Sequence, residues 1–287
     1  MYIIFYILSC IPRTFFVVLI DLYVYSNLFR FTSAYKITIT NLKIAYPERN
    51  NDDLELLSRM SLRESFISVY ETIYSWGRAT HESNKLIFKI ENNFLLKNNI
   101  NKNKGVICVT YHNRSVDMLL MWINSQTSTV SLYKEIKNKK LEFFVKNKRE
   151  INGSITVKTS LSGVRTIYKA LMQNEVICFA ADQVPKRGMG EYINFFGNKA
   201  YSTTLAQNLA FKSKSPAMYF AMNNSINGFL YISLNSISDD IYDDSKYLQC
   251  INHDIEKMIK KRPADYAWEY KRFKRGQPEG KNLYSDM

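Results

Sequence analysis

The side chains best suited to chemistry lie close together at residues 112–117, which read HNRSVD. His112 follows an apolar run, and Asp117 comes five positions later. Residues five apart on one helix do not face each other, so this pair can meet only across a strand-to-helix turn. Asp117 would then accept a hydrogen bond from one imidazole nitrogen and leave the other to take a proton from a substrate hydroxyl. The spacing predicts a general base with its orienting acid, and a histidine that only caps the helix is the alternative.

Other candidate residues lie downstream. The sequence has no G-x-S-x-G pattern, so we expect the attacking group to be a hydroxyl of the acceptor itself. Arg149 could stabilise a developing oxyanion or be a surface charge, and Asp182 could lie at a ligand site or cap a turn. Lys186 and Arg187 follow Asp182 and could hold a phosphate group or belong to a solvated loop.

Strand-like and helix-like segments alternate through the body of the chain, and these elements must position the candidate residues. Apolar runs typical of buried strands occupy 106–110, 129–132, 154–157, 175–181, 216–222 and 229–234. Helical periodicity or helix start and stop signals mark 52–77, 116–123, 137–146, 163–173, 203–212 and 246–261. The alternation predicts an α/β fold with a mostly parallel or mixed central sheet flanked by helices. His112 and Asp182 both follow predicted strands, where ligands sit in such sheets.

The first thirty residues are the most apolar part of the chain, interrupted by Arg13 and Asp21. We predict a membrane-anchor helix over 1–30, followed by one catalytic domain over 31–287. The anchor would either span the membrane with Arg13 and Asp21 paired or lie in its interface, and a buried N-terminal helix is the alternative. Basic residues after the anchor predict that the rest of the chain is cytoplasmic.

The charge balance indicates an anionic partner. There are 39 Lys and Arg residues against 26 Asp and Glu, a formal net charge of +13. Nucleic acid, anionic lipid and an acidic carrier protein all fit that charge, although genomic base composition alone could explain much of it. No nucleic-acid-binding pattern is visible, so we expect no nucleic-acid partner. The four cysteines form no C-x-x-C pair and the three histidines are scattered, so we expect a reduced compartment, buried thiols and no metal site.

Longer segments resemble a known family. HNRSVD fits the H-x4-D/E signature of glycerolipid-type acyltransferases. The more specific matches are NLKIAYPERNNDDLELLSR (41–59), KNKREINGSITV (146–157), GVRTIYKALMQNEVICFAADQ (163–183), INFFGNKAYSTTLAQNLAFKS (193–213) and RPADYAWEYKRFKRGQPEG (262–280). In this order they resemble the late acyltransferases of lipid A biosynthesis, the lauroyl/myristoyl transferase branch of the lysophospholipid acyltransferase superfamily. The resemblance covers nearly the whole chain.

The resemblance implies transfer of a fatty acyl group from acyl carrier protein to a hydroxyl of a Kdo-lipid IVA-type precursor, in lipopolysaccharide biosynthesis. The place would be the cytoplasmic face of the bacterial inner membrane, and no cofactor would be needed. By position, His112 is the base, Asp117 its partner, Arg149 an aid at the reacting centre and Asp182 the acid of a D-Q element. This branch usually has Glu where Asp117 stands, which leaves a lysophospholipid or another lipid as an alternative acceptor. Coenzyme A remains open as an alternative donor.

Overall fold

A computed structural model describes residues 2–224, 229–275 and 283–284. The strands are β1 Ile87–Glu91, β2 Val106–Thr110, β3 Thr129–Tyr133, β4 Ile155–Lys158, β5 Val176–Ala180, β6 Gly190–Phe195, β7 Asn198–Thr203, β8 Ala217–Asn224 and β9 Leu230–Ser236. The helices are α1 Tyr2–Ser9, α2 Arg13–Tyr25, α3 Ser33–Ala45, α4 Asn51–Gly77, α5 Thr80–Asn84, α6 Phe94–Ile100, α7 Val116–Gln126, α8 Lys139–Arg149, α9 Leu161–Met172, α10 Leu205–Ser213 and α11 Tyr247–Lys261. Three short 3-10 helices cover Leu28–Phe31, Asp239–Tyr242 and Pro263–Asp265.

Seven of the strands form one central sheet in the order β1-β9-β8-β2-β5-β3-β4. Its neighbouring strands pair in parallel except for β8 and β9, which pair antiparallel. The predicted α/β fold with a mostly parallel central sheet is therefore confirmed. All six strands predicted from apolar runs belong to this sheet, and the edge strand β1 adds a seventh.

The central strand β2 shows why these runs are apolar throughout. All five of its residues are buried, because helices cover both faces of the sheet. Ile107 and Val109 point to one face and join a core with residues of α9, α10 and α11. Val106 and Cys108 point to the other face and pack with α7. Burial on both faces holds the end of β2 in a fixed position.

A two-stranded hairpin, β6 and β7, lies outside the central sheet and was not predicted. Its two-residue turn is Phe196-Gly197, and both residues have positive φ, 49° and 72°. Glycine adopts that backbone conformation without steric cost, and the hairpin twist favours it. Phe195 and Phe196 are buried in the main core, so the hairpin is fastened to the body of the protein through these two rings.

The N-terminal segment differs from the single predicted anchor helix, because it forms two helices, α1 and α2, that meet at an angle of 85°. Pro12 precedes α2, and a proline cannot continue the hydrogen-bond ladder of α1. Among the described residues no single helix has the length and apolar character to cross a membrane, and only the bent pair satisfies both together.

The expected pairing of Arg13 with Asp21 is also corrected. Arg13 lies 3.7 Å from a carboxylate oxygen of Glu71, and Asp21 Oδ1 lies 2.5 Å from Arg63 Nε. Both partners belong to α4, the 27-residue helix against which α1 and α2 pack. The two charges therefore fasten α2 to the body of the protein.

Candidate active site

Two neighbouring parallel strands bring a histidine and an aspartate together at one edge of the sheet. β2 ends at Thr110 and β5 ends at Ala180, and these two residues are direct neighbours in the register. His112 and Asp182 each lie two residues beyond the end of their strand, so their side chains meet. Asp182 Oδ1 lies 2.8 Å from His112 Nδ1, and Asp182 Oδ2 accepts a hydrogen bond of 3.0 Å from the His112 backbone N–H. Both carboxylate oxygens therefore fix the histidine.

The carboxylate bonded to the imidazole is thus Asp182, whereas the spacing predicted Asp117. Asp117 lies in the first turn of α7, and its Oδ1 accepts a hydrogen bond of 2.7 Å from Arg149 Nε. The prediction failed because the registration of two strands distant in sequence places Asp182 closer to the imidazole. Asp182 was expected at a substrate-binding position, but it is only 3% exposed and lies behind the imidazole.

The electrostatics of this pair favour a basic imidazole. Burial disfavours the imidazolium, but the Asp182 carboxylate outweighs that effect and raises the pKa of His112 above its usual value. Burial also opposes ionisation of Asp182, but His112 outweighs it and lowers the pKa of that carboxyl. A charged Asp182 accepts a hydrogen bond from Nδ1–H, which leaves Nε2 as the basic nitrogen.

The free nitrogen of the imidazole faces an amide that sequence reasoning did not single out. Gln183 Nε2 lies 3.0 Å from His112 Nε2, and with the Nδ1–H tautomer the amide donates to the imidazole. Both residues line the main cleft. The amide thus occupies the hydrogen-bonding position at Nε2, and the only signal in the sequence was that Gln183 directly follows Asp182.

The loop between His112 and α7 is held by a buried arginine. Arg114 has a positive φ of 72°, and its side chain is fully buried. It forms ion pairs with Glu71 and Glu64 of α4, and Asp265 lies 4.0 Å away. A non-glycine residue at positive φ persists only where its surroundings hold it. No pattern in the sequence indicates this network, because its members are up to 201 positions apart (265 − 64).

The start of α7 is anchored by short polar contacts. Ser115 Oγ accepts a hydrogen bond of 3.2 Å from Met118 N, which caps the helix, and lies 2.8 Å from Thr72 Oγ1 of α4. The carbonyl of His112 accepts a hydrogen bond of 3.0 Å from Ala267 N. The loop between His112 and α7 is therefore fixed by α4 on one side and by the C-terminal segment on the other.

That C-terminal segment includes most of the matched stretch 262–280, of which 276–280 lie outside the described residues. Trp268 is fully buried, and its carbonyl accepts a hydrogen bond of 2.6 Å from Asn41 Nδ2. Arg272 is also buried and donates to the Tyr201 carbonyl at 3.0 Å and to Ser202 Oγ at 2.6 Å. These contacts tie the segment behind the site to the hairpin and to α3.

A cleft of about 1410 Å³ opens in front of His112. Its apolar lining includes Val116, Leu120, Leu132, Val164, Phe179, Leu205 and Leu209. Its basic lining residues are Lys134, Arg149, Lys158, Arg165, Lys186 and Lys212, against the acidic Glu135 and Glu191. Six cations against two carboxylates give the described wall of the cleft an excess of positive charge. Together with the apolar lining, this charge suits a ligand that is both apolar and anionic.

The structure separates the two basic residues predicted to hold a phosphate. Lys186 lines the cleft, but Arg187 is exposed and is not among the described residues that do so. Arg149 does line the cleft, with Asp117 bonded to its Nε. Of the predicted site residues, His112, Arg149 and Lys186 therefore share one cleft.

No group of three or more His, Cys, Asp or Glu side chains suited to a metal ion occurs within the described ranges 2–224, 229–275 and 283–284. The polar residues that line the cleft are a histidine, amides, hydroxyls and more cations than carboxylates. This set suits proton transfer and the binding of an anionic ligand.

Comparison with known proteins gives the family. The family model of bacterial lipid A biosynthesis acyltransferases matches residues 1–275. A lipid A biosynthesis acyltransferase of Haemophilus influenzae is 24% identical over 240 residues, which cover 82% of this chain and 75% of that protein. A lipid A biosynthesis palmitoleoyltransferase of Escherichia coli is 22% identical over 248 residues, which cover 85% of this chain and 80% of that protein. The chain therefore belongs to the bacterial lipid A biosynthesis acyltransferases, and it is an enzyme that transfers acyl groups.

Proposed function

We propose that this enzyme transfers a fatty acyl group from acyl carrier protein to a hydroxyl of a Kdo-lipid IVA-type lipid A precursor. The observation that carries the proposal is the His112–Asp182 pair, whose free imidazole nitrogen faces a cleft with an apolar lining and a basic rim. A base in that position suits activation of a hydroxyl. The lining suits an acyl chain, and the rim suits the phosphates of the acceptor.

The reaction begins with the acceptor hydroxyl in the place now taken by the Gln183 amide. The hydroxyl gives its proton to His112 Nε2 while its oxygen attacks the thioester carbonyl. Asp182 stabilises the imidazolium that forms. The tetrahedral intermediate then collapses, the carbon–sulfur bond breaks, and the leaving thiolate takes the proton from the imidazolium. The base is thereby restored, and the chemistry invokes no metal or cofactor.

Arg149 is placed to assist the attacked carbonyl. Burial disfavours its charge, but Asp117 outweighs that effect and raises the pKa of the guanidinium, so it stays cationic. Asp117 engages Nε, which leaves the terminal nitrogens for the negative charge that develops on the thioester oxygen. Asp117 therefore positions the arginine in this proposal.

The donor and the place of the reaction follow from charge. An acidic carrier protein and a phosphorylated lipid both favour a protein of net charge +13. We place the reaction at the cytoplasmic face of the inner membrane, where both substrates would meet the basic rim. A lysophospholipid acceptor is the weaker candidate, because the similar proteins are named for lipid A synthesis.

The substrate assignment is tested with the purified full-length protein and defined substrates. We expect the lipid A precursor to gain the mass of one acyl chain when acyl-acyl carrier protein is supplied, as measured by mass spectrometry. Parallel reactions contain acyl-coenzyme A as donor or a lysophospholipid as acceptor. Preferential acylation of the lysophospholipid would replace the proposed acceptor, and preference for coenzyme A would replace the proposed donor.

Asp182→Asn is expected to change the pH dependence of the reaction. Neutral His112 is the active form, so kcat/KM should rise with pH through the pKa of His112, which Asp182 raises. Without that carboxylate the pKa falls, so the acidic limb should shift to lower pH. The plateau should also drop, by roughly 10²-fold or more, because the imidazolium loses its partner.

The matched control for that profile is Asp52→Asn, which removes an exposed carboxylate in the first turn of α4. Its profile should match that of the unaltered enzyme. An acidic limb that stays in place in Asp182→Asn would show that Asp182 does not set the basicity of His112.

A further inference from the structure

The outer face of α8 presents an aromatic ring among cations. Phe143 is 68% exposed, whereas Val145 of the same helix is buried. Lys140 and Asn147 lie three and four residues from it on the same exposed face, and Lys137 is exposed just before the helix. An exposed apolar ring flanked by lysines is typical of a helix that lies at a lipid interface.

The adjoining side of α8 packs against α1, which has exposed apolar side chains of its own. Phe144 of α8 stacks on Phe5 of α1, with ring centroids 5.1 Å apart. Lys148 Nζ lies 5.0 Å from the centre of the Tyr2 ring. On α1, Ile3 is 70% exposed and Ile7 is 60% exposed. The two helices therefore form a joint surface that combines large apolar side chains with lysines.

The same helix reaches the reaction site. α8 ends at Arg149, which lines the cleft and bonds to Asp117. Lys134, shortly before α8, lines the cleft as well. Whatever binds the outer face of α8 therefore lies beside the cleft.

We propose that the outer face of α8, together with α1, contacts an anionic lipid surface and so sets the cleft against the membrane. The lysines complement anionic headgroups, while Phe143 and the isoleucines of α1 enter the boundary of the acyl chains. An acidic protein would account for the lysines but not for the apolar side chains that continue the surface. The inference rests on the proposed function only in taking the acceptor to be a lipid.

The depth to which position 143 enters a lipid bilayer tests the contact without any activity assay. In the full-length protein with Cys10→Ser, which removes the exposed cysteine, Phe143→Cys is labelled with an environment-sensitive fluorophore. Vesicles of equal parts phosphatidylcholine and phosphatidylglycerol should shift the emission to the blue, and brominated lipids should quench it. The matched control is Phe88→Cys on β1, 73% exposed and at the far edge of the sheet from β4, which α8 precedes. A label at 143 that responds no more than the label at 88 overturns the inference.

Charge reversal tests the lysines separately. Lys137→Glu combined with Lys140→Glu should weaken binding to the same anionic vesicles by about tenfold or more, and should have little effect on pure phosphatidylcholine. Lys257→Glu combined with Lys261→Glu, at exposed positions of α11, changes the net charge equally and should leave vesicle binding unchanged. Equal loss in both double variants, or loss of acyl carrier protein binding with vesicle binding intact, would contradict the lipid assignment. These binding measurements do not depend on the acyl-transfer assay. If that assay alone failed, the proposed function would be wrong and the lipid contact would stand.

Discussion

Acyl transfer by the His112→Ala protein is expected to fall by about 10²–10⁴-fold while the chain stays folded. Nε2 of His112 is the basic nitrogen that faces the cleft, and Asp182 behind it has no route to the acceptor. The imidazole is about a third exposed, so its removal leaves the buried strands β2 and β5 unchanged. The loss should appear in kcat, because the acceptor remains bound by the rest of the cleft.

His253→Ala is the control for that experiment, since His253 is exposed on α11. Initial rates of acyl transfer and the unfolding midpoint are measured for both variants. Full activity in a folded His112→Ala protein would remove the histidine from the mechanism. A general loss of structure in that variant alone would show that the residue serves the fold instead.

Arg114→Met is expected to lower the free energy of unfolding by about 3–5 kcal/mol. The guanidinium is fully buried and is bonded to Glu71, which is also fully buried, so its removal leaves that carboxylate with only the more distant Arg13, at 3.7 Å. A buried charge without a partner costs far more than a surface pair contributes. Methionine fills similar volume, so the loss reports the charge more than the packing.

The comparison for Arg114→Met is Arg30→Met, which breaks the partly exposed pair with Glu55. That change should cost about 0–1 kcal/mol. Denaturant unfolding of both variants gives the two free energies. Similar losses for the two substitutions would mean that the α4 network contributes no more than an ordinary surface ion pair, and that it does not hold the catalytic loop.

Six of the seven strands of the central sheet could be predicted from the sequence because each of the six carries its own signal. The run 106–110 is apolar at every position, and burial on both faces of a parallel sheet demands that pattern. β1 was missed because it reads IFKIE, in which polar residues and partial exposure blur the period of a strand. The hairpin was missed because its turn uses a phenylalanine at positive φ, a position where that residue is rare.

The sequence predicts only those features of the site that depend on residues close together in the chain. His112 was identified because it directly follows a recognisable strand. Its partner depends on β2 lying beside β5, although β3 and β4 come between them in the chain. No short-range pattern encodes that neighbourhood, so the acid five positions away was chosen over the one seventy positions away. The same limit hid Arg114, whose partners lie on α4.

If the proposed mechanism holds, the Gln183 amide limits wasteful hydrolysis of the donor. With the amide on Nε2, a water molecule that enters the cleft finds no free base. In that mechanism an acceptor lipid displaces the amide, because its other groups supply binding energy elsewhere in the cleft. A water molecule makes no such additional contacts. In the proposed mechanism, an enzyme that has bound only the thioester donor therefore hydrolyses the thioester slowly until the acceptor binds.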